Sequence, residues 1–236
     1  AYWIDLSVVE IQPPSTTPDA FEDDNTVETA STLTAGEAQA RSIHQDGDVD
    51  FVQFTLDSVS DIVLATTAEN GDTVLTVMDS EQNELAKDDT ADAMSTIELN
   101  ALQPGTYYAS VSSQGTPQLL ENYELELTVY AHPAPPQNVV TTAGPGSITL
   151  SWDASENAAS YIIQYEYSNE APFETVSAVE GASPLTTLDT SFVFTGLPSD
   201  APTYFCVVAV NGSAQSECSA LVAGTSGEAA ADGAGD

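Results

Sequence analysis

The stretch NYELELTVY, residues 122–130, alternates apolar and polar side chains. Tyr123, Leu125 and Leu127 fall on one side of an extended chain, while Glu124 and Glu126 fall on the other. Such alternation is typical of an antiparallel strand with one face in a core and the other in water. Five earlier segments, separated by turn residues, read the same way: 50–56, 61–68, 72–79, 95–102 and 105–113. No segment has helical periodicity of useful length, so we predict an all-β fold of the sandwich or jelly-roll type.

Proline-rich stretches divide the chain at two places. QPPSTTPD (12–19) follows a short opening strand, and AHPAPPQ (131–137) separates two blocks of alternating residues. The end of the chain is rich in Gly, Ala and Asp and has no apolar periodicity. We therefore predict an N-terminal strand and tether (1–18), a β-sandwich (19–131), a second β-sandwich (132–225) and a flexible acidic tail (226–236).

The charge balance is extreme. Of 236 residues, 37 are Asp or Glu, whereas Arg41 and Lys87 are the only Lys and Arg side chains, and the net charge is -35. We therefore predict that the chain binds no nucleic acid and that anionic membrane surfaces are poor partners, because both bind basic patches and this sequence has none. Two interpretations stay open: the acidic coat keeps the protein soluble in a saline medium, or it collects divalent cations.

Two features predict the location of the protein. No apolar run approaches the roughly 20 residues needed to cross a bilayer, so we predict no membrane span. The chain opens on Ala1 and not on Met. We expect an extracellular or cell-surface protein, exported with its signal peptide removed, in a saline environment.

The two cysteines, Cys206 and Cys218, flank the turn sequence NGS at 211–213. Both are equally distant from Gly212, so a three-residue loop would place them opposite each other on paired strands. We predict a cross-strand disulfide, which implies an oxidising compartment. The alternative is a pair of buried free thiols.

The first block resembles a bacterial pre-peptidase C-terminal domain. The resemblance runs in order through DAFEDDNTVETA (19–30), GDVDFVQFTL (47–56), DTVLTVMDSEQNELAKDD (72–89), LQPGTYYASVSS (102–113) and NYELELTV (122–129). These domains are similar to the collagen-binding modules of clostridial collagenases. The resemblance implies a jelly-roll-like β-sandwich of a secreted hydrolase or surface protein, without catalytic activity of its own.

The second block resembles a fibronectin type III domain. Its first two strands match PAPPQNVVTTAGPGSITLSWDAS (133–155), in which Trp152 is the core tryptophan, and Tyr161 opens the third. The segment FTGLPSDAPTYFCVVAVN (194–211) matches the corner at which Leu197 and Tyr204 fix the turn into the next strand. The disulfide departs from the usual family pattern.

Acidic residues crowd at FEDDN (21–25) and at DGDVD (46–50). In calcium-binding relatives of the collagen-binding modules, two such segments converge on the ion. The resemblance places Glu22, Asp24, Asn25, Asp48 and Asp50 at the ligand positions. Calcium prefers six to eight hard oxygen ligands, so these residue types suit it. The alternative is that the segment serves as turn and cap within the acidic coat.

Nothing in the sequence points to catalysis. His44 and His132 are the only histidines, and neither HExxH nor a glycine-framed serine occurs. No serine or threonine belongs to a recognisable set of nucleophile, base and orienting group. We predict that the chain is not an enzyme.

The opening segment AYWIDLSVVEIQ (1–12) precedes the resemblance to the first family. A strand with apolar side chains on both faces is costly to leave exposed, so it must pair somewhere. It either adds an edge strand to its own domain or is donated to a neighbouring subunit, and donation propagates into filaments. The assembly residues predicted are Tyr2, Trp3, Ile4, Leu6, Val8 and Val9.

These features lead to two functional hypotheses. The first is an exported structural or adhesive protein that assembles with itself into a cell-surface or extracellular filament by strand donation, with calcium bound. The second is an accessory substrate-binding or spacer region of a secreted hydrolase, whose partner is collagen or a polysaccharide.

Overall fold

The computed structural model describes residues 16–69, 71–91, 94–114, 119–167, 185–197, 199 and 202–227. The predicted assembly strand at 2–9 and all but two residues of the predicted tail lie outside the described residues. The described chain divides into two compact units. The first extends to Asp57 and includes Ile62–Val129, and the second comprises Ser58–Asp61 and the residues from Tyr130 onward.

Strands β1 to β9 belong mainly to the first unit. They are β1 Ser31–Thr32, β2 Gln39–Ile43, β3 Asp50–Leu56, β4 Ser60–Thr67, β5 Thr73–Met78, β6 Glu84–Asp88, β7 Thr96–Leu102, β8 Gly105–Ser113 and β9 Leu120–Ala131, and a 3-10 turn lies at Val27–Thr29. They form one sheet in the order β1-β3-β8-β5-β6 and another in the order β2-β9-β4-β7. All pairings given for the five-stranded sheet are antiparallel except β1 with β3.

All six segments predicted from alternation are strands, and the all-β prediction is confirmed. Three strands are missing from that prediction. β1 has only two residues, and β6 is exposed or half-buried along its length. β2 reads QARSI, and its interior positions include Arg41 and Ser42, both buried. Polar side chains at buried positions hide a strand from any argument based on hydrophobic periodicity.

β3 shows how the strand pattern positions a functional group. Its inward positions are Asp50, Val52, Phe54 and Leu56, each at most 3% exposed. Phe54 stacks on Tyr107 of the neighbouring β8, with ring centroids 5.7 Å apart. The same alternation that buries three apolar side chains therefore also buries a carboxylate at the start of the strand.

Strands β10 to β17 form the second unit. They are β10 Val140–Gly144, β11 Ser147–Ser151, β12 Ser160–Tyr167, β13 Leu185–Thr187, β14 Ser191–Thr195, β15 Thr203–Asn211, β16 Ala214–Gln215 and β17 Val222–Gly224. One sheet has the order β10-β11-β14, and the other has the order β13-β12-β15-β16, with β17 also paired to β15. This is the second of the two predicted sandwiches.

The core of the second unit is built around aromatic side chains. Trp152 is 5% exposed and meets Tyr161 edge to face, with centroids 5.4 Å apart. Phe205 on β15 is fully buried and packs 4.9 Å from the ring of Phe194. Leu197 is also buried in this core. The predicted core tryptophan and corner leucine thus occupy the positions that the resemblance implied.

The cysteine prediction is confirmed, although the predicted loop is one residue too long. Cys206 and Cys218 form a disulfide with their Cα atoms 5.8 Å apart. Asn211 pairs with Ala214, which leaves a two-residue turn that begins at Gly212, whose φ is +59°. Glycine tolerates this left-handed conformation, so the tighter turn is available. Beyond the turn, Ser216 N donates to Ala209 O and Ser219 N donates to Val207 O, both at 2.9 Å.

Candidate cation site

The segment from Thr16 to Asn25 lies across the end of β2 and the start of β3. Its hydrogen bonds are Thr16 N to His44 O (2.8 Å), Ser42 N to Asp19 Oδ2 (2.7 Å), Phe51 N to Asp24 O (2.9 Å) and Val49 N to Asn25 Oδ1 (3.1 Å). The Glu22–Asp23 peptide bond is cis. These hydrogen bonds place the carboxylates of the segment beside the end of β2 and the start of β3.

The loop between β2 and β3 supplies the opposing side chains. The backbone N–H of Asp48 donates to the carbonyl of Gln45 at 3.3 Å, and Gly47 has a φ of +81°, a left-handed conformation that favours glycine. The turn folds Asp48 back so that its Oδ2 accepts from the backbone N–H of His44 at 2.8 Å. Both side chains consequently face the segment that carries Glu22.

A buried ion pair forms one wall of this cluster. Arg41 Nη1 lies 2.7 Å from Asp24 Oδ2, and the two side chains are 0% and 1% exposed. The guanidinium also donates to Gln39 Oε1 and to Ser31 Oγ, and it stacks over the ring of Phe21 at 4.4 Å. Arg41, one of the two Lys and Arg side chains of the chain, is thus buried.

Burial perturbs the carboxyl groups of the cluster. It raises the pKa of Asp50 to about 8, although a hydrogen bond from the hydroxyl of Tyr123 to Asp50 Oδ2 opposes this increase. Burial is also the largest cause of the raised pKa values of Glu22 and Asp24. The pKa of the Tyr123 phenol is likewise raised by burial. The interior therefore disfavours the negative charges that this sequence concentrates in it.

Five buried carboxylate oxygens of this cluster have no hydrogen-bond partner. They are Glu22 Oε1 and Oε2, Asp24 Oδ1, Asp48 Oδ1 and Asp50 Oδ1. Buried polar atoms are almost always paired, and a buried, unpaired charge is especially costly. Four of these oxygens belong to Glu22, Asp48 and Asp50, whose carboxylates lie in closely spaced groups of potential ligands, and a bound cation would satisfy them.

The ligand atoms fall into two overlapping groups. In one, Glu22, His44 and Asp48 each offer an atom within 4.8 Å of the others, and in the second Asp19, Glu22 and Asp50 do so. Glu22 belongs to both. The two groups therefore share one carboxylate, neither of whose oxygens has a hydrogen-bond partner, although Oε1 lies 2.7 Å from His44 Nδ1.

Three of the five predicted ligands, Glu22, Asp48 and Asp50, belong to these groups. Of the other two, Asp24 has one oxygen on Arg41, and the side-chain oxygen of Asn25 accepts from a backbone N–H. The sequence reasoning missed Asp19 and His44.

Two sequence features could have indicated these missed residues. Asp19 lies three residues before Glu22, and His44 lies four residues before Asp48. The structure brings both positions to the cluster because the segment and the loop face each other.

Two consecutive β-sandwiches, the first with an acidic cluster between β2 and β3, define a modular protein. Residues 48–113 match the bacterial pre-peptidase C-terminal domain, and residues 134–225 match the fibronectin type III domain. The chain contains both domains in this order, as predicted. Both are non-catalytic module types that are typical of extracellular proteins and often serve in binding or as spacers. The first match begins at Asp48, so it includes Asp48 and Asp50 but not residues 19–25.

Several solved structures are similar to parts of the chain. The pre-peptidase C-terminal domain of a collagenase from Bacillus anthracis is 18% identical, with 42% of this chain and 94% of that chain covered and a TM-score of 0.37. The fibronectin type III domain of the human collagen alpha-1(XX) chain is 15% identical over 45% of this chain and 95% of that one, with a TM-score of 0.34. A two-domain segment of chicken tenascin is 15% identical over 76% and 98%, also with a TM-score of 0.34.

No curated protein matches this sequence. Across the residues that the structure describes, no helix has the length and apolar character needed to span a membrane.

Proposed function

We propose that this chain is a non-catalytic binding or spacer region of an exported protein, and that calcium completes the fold of its first domain. The observation that carries the calcium proposal is the set of five buried carboxylate oxygens without partners. Calcium accepts six to eight oxygen ligands in flexible geometry, and water molecules commonly complete its shell.

The residues proposed to hold calcium are Glu22, Asp48 and Asp50, with Asp19 and the free oxygen of Asp24. The ion would supply positive charge to a group of five carboxylates for which Arg41 is the only buried partner among the described Lys and Arg side chains. It would thereby tie the segment before the 3-10 turn to the β2–β3 loop. The proposed role is structural, since no reacting group is involved.

Calcium is expected to raise the unfolding temperature of the first domain. A ligand that binds only the folded state, at a free concentration of 100 times its Kd, raises the free energy of unfolding by about 2.7 kcal/mol. We would measure calorimetric unfolding of the whole chain in calcium and in EDTA at equal ionic strength. Asp50→Asn should abolish most of the calcium effect. Asp46→Asn is the matched control, because Asp46 is an exposed carboxylate of the same loop.

Magnesium serves as the second control. It demands near-octahedral geometry and gives up its water reluctantly, so it should stabilise much less than calcium at the same concentration. Identical unfolding temperatures in calcium, magnesium and EDTA would contradict the proposed site. An Asp46→Asn variant that loses the response as fully as Asp50→Asn would show that the response comes from the acidic surface as a whole.

The proposed partner of the module is an extracellular polymer. The collagenase from Bacillus anthracis carries a domain of the first type, which supports collagen as the first candidate, with polysaccharides as the second. Retention of the chain on insoluble collagen or chitin, with and without calcium, tests this role. Recovery of all the protein in the unbound fraction on every polymer would exclude it.

The second candidate function is a self-assembling filament subunit, and the apolar alternation of residues 2–9 supports it. In this proposal the segment is donated to a neighbouring copy. The double substitution Ile4→Asp with Leu6→Asp should abolish polymers seen by electron microscopy, whereas Ser7→Asp, at the opposite parity, should not. Polymers that survive the double substitution would rule out donation of this strand.

A further inference from the structure

The cation cluster includes a nitrogen ligand. His44 Nδ1 lies 2.7 Å from Glu22 Oε1 and 2.7 Å from Asp48 Oδ2. The side chains of His44, Glu22 and Asp48 are only 12%, 9% and 0% exposed. The histidine follows β2 directly. Its backbone N–H donates to Asp48 Oδ2, and its backbone carbonyl accepts from the N–H of Thr16. The nitrogen therefore has a fixed position among carboxylate oxygens.

These short distances are not hydrogen bonds. Neither His44 Nδ1 nor Glu22 Oε1 has a hydrogen-bond partner, despite their 2.7 Å separation. Asp48 Oδ1 is also buried without a partner. The three side chains thus approach one another closely without the alignment of a hydrogen bond. A cation bound between them would give a partner to the unpaired oxygens of Glu22 and Asp48.

We propose that Glu22, His44 and Asp48 form a mixed nitrogen and oxygen subsite that binds a divalent transition-metal ion such as Zn²⁺ or Co²⁺. The subsite shares Glu22 and Asp48 with the residues proposed to hold calcium, and it adds the imidazole of His44 to them. The inference deepens the proposed function, because it rests on the same cluster as the cation site of the first domain. The subsite differs from the proposed calcium site in the metal that it binds, because the imidazole of His44 favours a transition-metal ion.

The ligand chemistry distinguishes the two groups. Imidazole nitrogen suits zinc, copper, iron and nickel, whereas calcium and magnesium take oxygen ligands. One histidine with two carboxylates leaves open positions for water, as is usual where a protein supplies only three ligands. The oxygen-only group should therefore prefer calcium, and the histidine group should prefer a softer ion.

The competing explanation is an imidazolium ion that offsets the carboxylates without any metal. It predicts that removal of His44 destabilises the fold but changes no metal spectrum. Metal titration of the whole chain separates the two explanations, because a coordinating imidazole alters the absorption of Co²⁺ whereas an imidazolium ion has no lone pair with which to bind the metal.

The test is titration of the tag-free chain with CoCl₂, followed by visible absorption, and in parallel with CaCl₂, followed by calorimetry. The parent should give cobalt d–d bands that zinc displaces. His44→Ala should weaken Co²⁺ binding by at least about tenfold, as expected for loss of a ligand, and should leave calcium affinity within about threefold. His132→Ala removes the other histidine and should retain the cobalt spectrum.

Asp50→Asn separates this inference from the calcium proposal. If Asp50→Asn loses calcium binding but keeps the cobalt bands, both proposals stand. If the parent binds cobalt through His44 but does not bind calcium, the nitrogen subsite stands and the calcium proposal fails. If the parent binds calcium but shows no cobalt bands, or if His44→Ala keeps them, the nitrogen subsite is overturned.

Discussion

Replacing Arg41 with alanine is expected to destabilise the first domain by about 3–5 kcal/mol, because it leaves Asp24 as a buried charge without its partner. The substitution also removes the hydrogen bonds to Ser31 and Gln39 and the stacking on Phe21. Calorimetric unfolding of the whole chain in EDTA measures the effect, since EDTA removes any contribution from a bound cation.

Lys87 provides the matched control. It is the other basic side chain, and it pairs with Asp89 at 3.0 Å, but the two side chains are 41% and 58% exposed. Exposed pairs contribute about 0–1 kcal/mol, so Lys87→Ala should change the free energy of unfolding very little. Equal effects of the two substitutions would contradict the distinction between a buried and an exposed cation.

A double-mutant cycle isolates the ion pair from the packing of Arg41. Asp24→Asn should offset part of the loss caused by Arg41→Ala, because the buried negative charge disappears with its partner. The coupling energy between the two sites should therefore be favourable in the parent. Additive effects would mean that Arg41 stabilises the domain through packing and stacking alone.

Much of the fold could be predicted because the strands that carry most of the core obey simple alternation. β3, β8 and β9 place apolar side chains on one face, so their period of two is visible without any knowledge of their partners. β2 could not be found in this way, because Arg41 and Ser42 occupy its buried positions. Their burial makes sense only once it is known that Asp24 accepts from Arg41 and that the carbonyl of Thr17 accepts from the hydroxyl of Ser42.

The cation cluster shows the same limit. The resemblance to the collagen-binding modules placed Glu22, Asp48 and Asp50 at ligand positions, and all three belong to the observed groups. The sequence does not reveal that Arg41 pairs with Asp24 and so competes with a cation for that carboxylate, because the two residues are 17 positions apart. His44 was overlooked as a ligand because its contribution depends on the loop that folds Asp48 back towards it. Spacing in the sequence reveals candidate ligands but not which of them are already bound to a neighbour.

Acidification is expected to stabilise the first domain when divalent cations have been removed. Burial raises the pKa of Asp50 in the folded domain to about 8, above its ordinary value of 3.8. Between these values the folded state holds a proton that the unfolded chain does not, so the free energy of unfolding decreases as the pH rises. The raised pKa values of Glu22 and Asp24 act in the same direction. We expect a gain on the order of a few kcal/mol between pH 8 and pH 5.

Chemical unfolding in EDTA at several pH values, in high salt, measures this dependence. High salt is needed because acid also neutralises part of the net charge of -35, and this weakens the charge repulsion that destabilises the folded state. Salt screens that repulsion, so it reduces this second effect of acid. Asp50→Asn should flatten the profile, whereas Asp46→Asn, which changes the net charge equally, should retain it. Saturating calcium should remove the gain on acidification, because protons then compete with a bound ion for the same oxygens. A parent profile in EDTA that rises from pH 5 to pH 8 would contradict the assignment of Asp50 as a buried, uncompensated carboxyl group.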